Sequence, residues 1–248
     1  MAPTESLLIS ERWLWLSGSL LGGLLVAWSY WLATRNDNPP RWLQDNFLIH
    51  SARLLYAIAI PAAALLWRGV LSSRLLGLKR LLLSNSPTPL EIQAHWNDWA
   101  SDFGWLALLL AGVLMIYQLA RWQTRAGTPI QRRRLQGGAL LSALREALYH
   151  QAHWAFYREP WVLLWGAGLG TWAGLGLVGI QAALNPWRWR DLRQAQTRAR
   201  LLARLAIALS SALLYLQTQN LWLAIALDAA LGWLLEQPHT HHKRAGAP

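Results

Sequence analysis

WLWLSGSLLGGLLVAWSYWL, residues Trp13 to Leu32, runs for twenty residues without a charged side chain. At about 1.5 Å of rise per helical residue it covers roughly 30 Å, the hydrocarbon thickness of a bilayer. Outward from it, comparable apolar runs occupy Leu54–Trp67, Phe103–Ala120, Trp161–Leu184, Leu205–Leu216 and Leu221–Leu235. The repetition predicts an all-α, polytopic transmembrane bundle.

Composition agrees with that reading. Of 248 residues, 54% are hydrophobic and only 14% charged, against about 25% charged in an ordinary soluble domain. There are 18 tryptophans, and many stand at the ends of the apolar runs: Trp13, Trp15, Trp28, Trp31, Trp105, Trp122, Trp161, Trp187, Trp189, Trp222 and Trp233. Indole has an apolar body and one N–H donor, which suits the headgroup boundary. The net charge is +11, yet its arginines cluster beside apolar spans. Lipid phosphate and the positive-inside rule account for them there without nucleic acid as a partner. No cysteine is present, which rules out disulfides and thiolate chemistry. The flank MAPTESLLISER carries Glu5 and Glu11 and lacks a basic n-region, so the first run reads as a retained helix rather than a signal peptide.

Along the chain, helix one is expected over about 13–33, closed by a loop through Pro39 and Pro40. Helix two, about 48–70, contains Pro61, where a kink is expected. LSSRLLGLKRLLLS, Leu71 to Ser84, sets Arg74, Lys79 and Arg80 among leucines and reads as an amphipathic helix lying in the interface. A polar connection, NSPTPLEIQAHWNDWASD, leads to helix three at about 103–121. The stretch ALLSALREALYHQAHWAFYR, Ala139 to Arg158, is long enough to cross but carries charge. Two basic loops flank this region, Arg121–Arg134 with five arginines and Arg188–Arg204 with six. They fall on one face only if 139–158 crosses and 161–184 returns. Helices at about 200–217 and 219–236 follow. The expectation is therefore about seven crossings plus one interfacial helix, in a single domain 1–236 with a disordered tail 237–248. By the positive-inside rule the C-terminus is cytoplasmic, in a membrane of the bacterial cytoplasmic kind. Membrane lipids, and other membrane-protein subunits, are the expected partners.

Helix 161–184 carries Gly166, Gly170 and Gly174 four residues apart. Such a row lets another helix approach closely, which reads as intramembrane packing, with substrate passage as the alternative.

Charged groups inside a bilayer cost several kcal/mol and face the bundle interior. Glu146, His150, His153 and Tyr157 are spaced by four, three and four, which places them on one helical stripe. A carboxylate with two imidazoles could ligate zinc through His150 and His153. The same groups could form a hydrogen-bonded structural network, with Arg145 or Arg158 compensating Glu146. Asp228, within LWLAIALDAALGW, needs an interior polar partner, for which that stripe or an arginine is available. The tail histidines His239, His241 and His242 have no scaffold.

These residues resemble the CPBP group, the intramembrane metalloproteases related to CAAX prenyl proteases and bacteriocin-processing proteins. Members carry Glu-Glu-xxx-Arg on one helix, Phe-xxx-His on the next and His-xxx-Asn on a later one. Here Arg145-Glu146-Ala147-Leu148-Tyr149-His150 stands at the first, with the second glutamate kept. Gln181 stands where the histidine of the second belongs, and Asp228 and Gly232 replace the pair of the third. The segment IPAAALLWRGVLSSRLLGLKR resembles the family's lead-in. The resemblance, over Ile58 to Leu235, implies a degenerate member that keeps the fold and has lost the protease. Glu146, Gln181 and Asp228 should then converge in one interior site. Two other functions stay open at this point. One is a working metallopeptidase built from Glu146, His150, His153 and Asp228. The other is a transporter, for which no inverted repeat or paired broken helix is visible.

Overall fold

The computed structural model describes residues 3–34, 51–52, 54–66, 76–79, 87–124, 137–186 and 195–235, with the single positions 189 and 192. Among them every regular element is helical, with no strand. Six α-helices are described: α1 (Pro3–Thr34), α2 (Ile60–Leu66), α3 (Pro89–Thr124), α4 (Gly137–Leu184), α5 (Ala195–Thr218) and α6 (Leu221–Leu235). By length and composition, three described stretches suffice to cross a membrane: Pro89–Leu119, Gly138–Leu184 and Leu201–Thr218. The protein is thus an all-α membrane protein. The loop 35–40, most of the 71–84 segment and the tail 237–248 lie outside the described residues.

The expected kink at Pro61 takes a definite form. A π-helical turn, Leu55–Ala59, precedes α2, and the Ile60 N–H donates to the Leu55 carbonyl five residues back. Proline cannot donate to the carbonyl four residues before it, and widening the preceding turn accommodates its ring.

Three expectations are corrected. The stretch 89–102, read as a polar connection, is the first part of α3. Its start is a capping box: the Thr88 N–H donates to Glu91 Oε2 at 2.8 Å, the Glu91 N–H donates back to Thr88 Oγ1 at 3.3 Å, and Pro89 fills the first helical position. The described part of the supposed interfacial helix, Leu76–Lys79, is a turn with Gly77 at φ +82°. A Cβ at Gly77 would lie 2.8 Å from the Gln219 carbonyl oxygen, so close approach and backbone conformation both require glycine there. The third correction concerns the break near residues 158–161, which is absent; α4 runs on through Pro160.

That helix reverses instead at Gly166 (φ 74°, ψ 174°), a region open essentially to glycine alone. Beyond it the chain folds back on itself. A Cβ built on Gly174 would lie 2.7 Å from Arg158 Cα, and one on Gly170 would strike the Val162 backbone. In a straight helix residues sixteen apart are separated by about 24 Å, so α4 is a hairpin of two antiparallel limbs pivoting at Gly166. Gly170 and Gly174 of the glycine row seat the second limb on the first.

The core is organised around α6, which packs on both α4 and α5. Leu221, Ile225 and Ala229 join Ala147, Ala155, Phe156, Leu16 and Ala64 in one apolar cluster. Leu223, Leu227 and Leu231 join Ile207 and Leu214 in another, against which Leu106, Leu110 and Val113 of α3 pack. A helix apolar on every side is the one that belongs at the centre.

Contacts between elements define two ends. At one end Arg12 faces Glu159 at 3.6 Å, Trp13 packs edge-on to Trp161, and the Leu221 N–H donates to the Gly77 carbonyl at 2.8 Å. At the other, Trp28 Nε1 donates to the Leu184 carbonyl at 3.2 Å, and Gly232 approaches Ala143.

Candidate functional site

The Glu146 stripe runs from a part-exposed Glu146 and an exposed His150 to a buried Tyr157, and its polar groups fall into separate clusters. Asp228, buried on α6, accepts a 3.0 Å hydrogen bond from Gln151 Nε2 and lies 3.9 Å from His150 Nδ1. Its neighbours thus include an amide and an imidazole of α4's first limb. Glu146, one turn from His150, pairs with its neighbour Arg145 at 3.6 Å, and both are partly exposed.

About two turns further along the limb, the part-buried His153 lies between two tyrosines, with ring centroids 4.7 Å from Tyr56 and 4.2 Å from Tyr157. Gln181 Nε2 on the second limb donates to Tyr56 Oη at 2.6 Å, and the two tyrosine hydroxyls are 2.9 Å apart. With its single proton directed at the Ser19 carbonyl at 3.3 Å, Tyr56 accepts from both Gln181 and Tyr157. The close passage of α1 is made possible by Gly23, whose Cβ would otherwise strike Tyr56 Oη and lie 2.7 Å from Gln181 Nε2. One tyrosine hydroxyl thus ties together α1, both limbs of α4 and the turn before α2. Gln181 and Asp228, expected to meet at Glu146, bond to different partners.

Two further clusters were not anticipated from the sequence. In the first, Lys79 Nζ pairs with buried Asp102 at 2.6 Å, and Asn220 Nδ2 donates to the same carboxylate oxygen at 3.0 Å. Trp222 Nε1 donates to the Lys79 carbonyl at 3.1 Å. Together with the Leu221–Gly77 bond, this clamps the Leu76–Lys79 turn onto the start of α6. In the second, Arg158 is fully buried, donates through Nη2 to the Leu76 carbonyl at 3.1 Å, and lies 3.2 Å above the Tyr215 ring. The signals were present but distributed: Asp102 and Asn220 each end or begin an apolar run, and nothing local pairs them with Lys79.

A metal centre needs at least three converging ligands. Among the described residues no three His, Cys, Asp or Glu side chains gather closely enough to hold an ion. His150 and His153 are divided between the Asp228 and tyrosine clusters, so the zinc alternative has no donor set there. A hollow of about 310 Å³ forms a groove between α1 and α2, lined by Leu14, Trp15, Gly18, Ser19 and Ile60. It is apolar, and none of the candidate ionisable groups lines it.

No family model matches the chain, and no curated protein or solved structure is similar to it.

Proposed function

We propose that this is a seven-crossing membrane protein with no peptidase activity, a CPBP-like pseudoenzyme that serves as a structural or partner-binding subunit. The observation that carries this reading is the dispersal of its polar groups. Gln151–Asp228, Gln181–Tyr56–Tyr157 and Lys79–Asp102–Asn220 each join two or more elements, and the groove between α1 and α2 lacks ionisable lining. Hydrolysis requires a base, an activated water and a stabiliser for the oxyanion within a few ångströms of one another. Interior hydrogen bonds that link helices require only pairs.

The directions of the elements support the topology. α1 runs from the Arg12–Glu159 end to the Trp28–Leu184 end, and α2 leads back toward the Leu76–Lys79 turn. α3, the two limbs of α4, α5 and α6 then alternate. This brings the chain to the Trp28–Leu184 end both after α3 and after α4, where the basic stretches 121–134 and 188–204 begin. The positive-inside rule makes that end cytoplasmic and leaves the C-terminus on the same side.

Incubating purified protein in detergent or liposomes with prenylated and unprenylated peptides tests the reading. No cleavage is expected with or without added zinc, and Glu146→Gln should behave as wild type. Stoichiometric zinc, together with cleavage lost in Glu146→Gln, would establish the metallopeptidase instead.

A further inference from the structure

We infer that Arg158, Trp154 and Ser211, at the seam between α4 and α5, bind a phosphate oxyanion supplied by a phospholipid headgroup. Arg158 is fully buried, yet Nε and Nη1 have no acceptor, and among the described residues no carboxylate pairs with it. The neighbouring Glu159 faces Arg12. A guanidinium lying over the Tyr215 ring gains cation–π attraction, but its N–H donors point outward in its own plane, where the ring accepts nothing.

The adjoining groups lack acceptors as well. Trp154, one turn earlier on α4 with its ring 5.7 Å from the guanidinium, is buried with Nε1 unpartnered. Ser211, one turn before Tyr215 on α5, is buried with Oγ unpartnered. Guanidinium and indole can only donate. A buried positive charge beside an unpartnered indole donor lacks both hydrogen-bond acceptors and a counter-charge, and an oxyanion supplies the two together, with the Ser211 hydroxyl free to donate to it. Water would cap a donor and leave the charge unbalanced.

Depth selects the lipid as source. Arg158 touches the Leu76–Lys79 turn, beside the part-exposed Lys79, and belongs to the end carrying the Trp13–Trp161 pair and Trp222. Tryptophan and lysine mark the headgroup level, where phosphate is the abundant acceptor. In the present arrangement the Leu76 carbonyl holds one guanidinium N–H.

The test is native mass spectrometry of the full chain released from nanodiscs. From phosphatidylglycerol discs, wild type should retain one lipid, with affinity lowered about tenfold in Arg158→Met and less in Trp154→Phe. From discs of galactosyl diacylglycerol, which has no phosphate, no lipid should be retained. Delipidated protein is then titrated with inorganic phosphate. Binding that Arg158→Met abolishes supports the site and makes free phosphate a second source. Equal retention of the galactolipid, or unchanged phospholipid retention in Arg158→Met, overturns it. Should Arg158→Met fail to fold, wild-type retention in folded Trp154→Phe and Ser211→Ala overturns it equally.

Discussion

At Asp228 a carboxylate interrupts an otherwise apolar helix, and its neighbours decide what that interruption costs. Gln151 donates to it from α4, so the acid serves as an acceptor that ties the central helix to the hairpin. Asn keeps an acceptor at that place, whereas Leu removes it and strands the buried Gln151 amide. Asp228→Leu is therefore expected to lower unfolding stability in detergent by about 1–3 kcal/mol. Asp228→Asn should cost nearer about 0.6 kcal/mol, the scale of an interhelical hydrogen bond in a membrane. Reversible denaturation followed by circular dichroism distinguishes them, and Leu matching Asn would remove Asp228 from any structural role. The stripe itself was legible in the sequence, because a spacing of four, three and four needs only helical geometry. Its division was not: the residues that draw Asp228 and Gln181 apart, Gln151 and Tyr56, carry no charge to announce them.

Glycine has opposite consequences at two positions of the same element. Gly174 packs its Cα against the backbone of Arg158, whereas around Gly176 a Cβ would meet nothing within 4 Å. Alanine at Gly174 must push the limbs apart, an overpacking cost of about 1–3 kcal/mol. Alanine at Gly176 removes only glycine's backbone freedom and should stabilise by up to about 1 kcal/mol. Opposite signs in thermal unfolding of Gly174→Ala and Gly176→Ala would verify the hairpin; equal signs would refute it. At this scale the sequence held more than its polarity suggested. Thr88-Pro89-Leu90-Glu91 is a helix-start signature inside what reads as a polar connection, and it moves the start of α3 back to Pro89. The reversal at Gly166 rather than at Pro160 was hidden for a different reason. Several glycines in that run are sterically free to turn, and only the docking of the second limb selects one.

Across the whole molecule, charge is distributed by end. The basic stretches 121–134 and 188–204 follow α3 and α4, both of which finish at the Trp28–Leu184 end. The exposed first turns of α3, including Asn97, belong to the opposite end, beyond Asp102 and its Lys79 partner. Since the chain has no cysteine, single thiols report sidedness directly. Asn97→Cys should react with an impermeant maleimide in intact cells, while Gln131→Cys and Gln194→Cys should react only after permeabilisation. Labelling of Gln131→Cys but not Gln194→Cys from outside would put the two basic stretches on different faces and exclude seven crossings.

Chain composition and periodicity alone determined that this is a helical membrane protein, since a run of apolar residues as long as a bilayer is thick has few other solvents. They also placed Glu146, His150, His153 and Tyr157 on one helical stripe, because helical geometry is local. Which polar group meets which was decided only by tertiary structure. The partners of Asp102, Asp228, Gln181 and Arg158 lie 77 to 125 residues away along the chain, except that Lys79 is 23 from Asp102. In lipid a polar side chain bonds to whichever polar group the packing of apolar faces brings within reach, and that packing is a property of the assembled bundle.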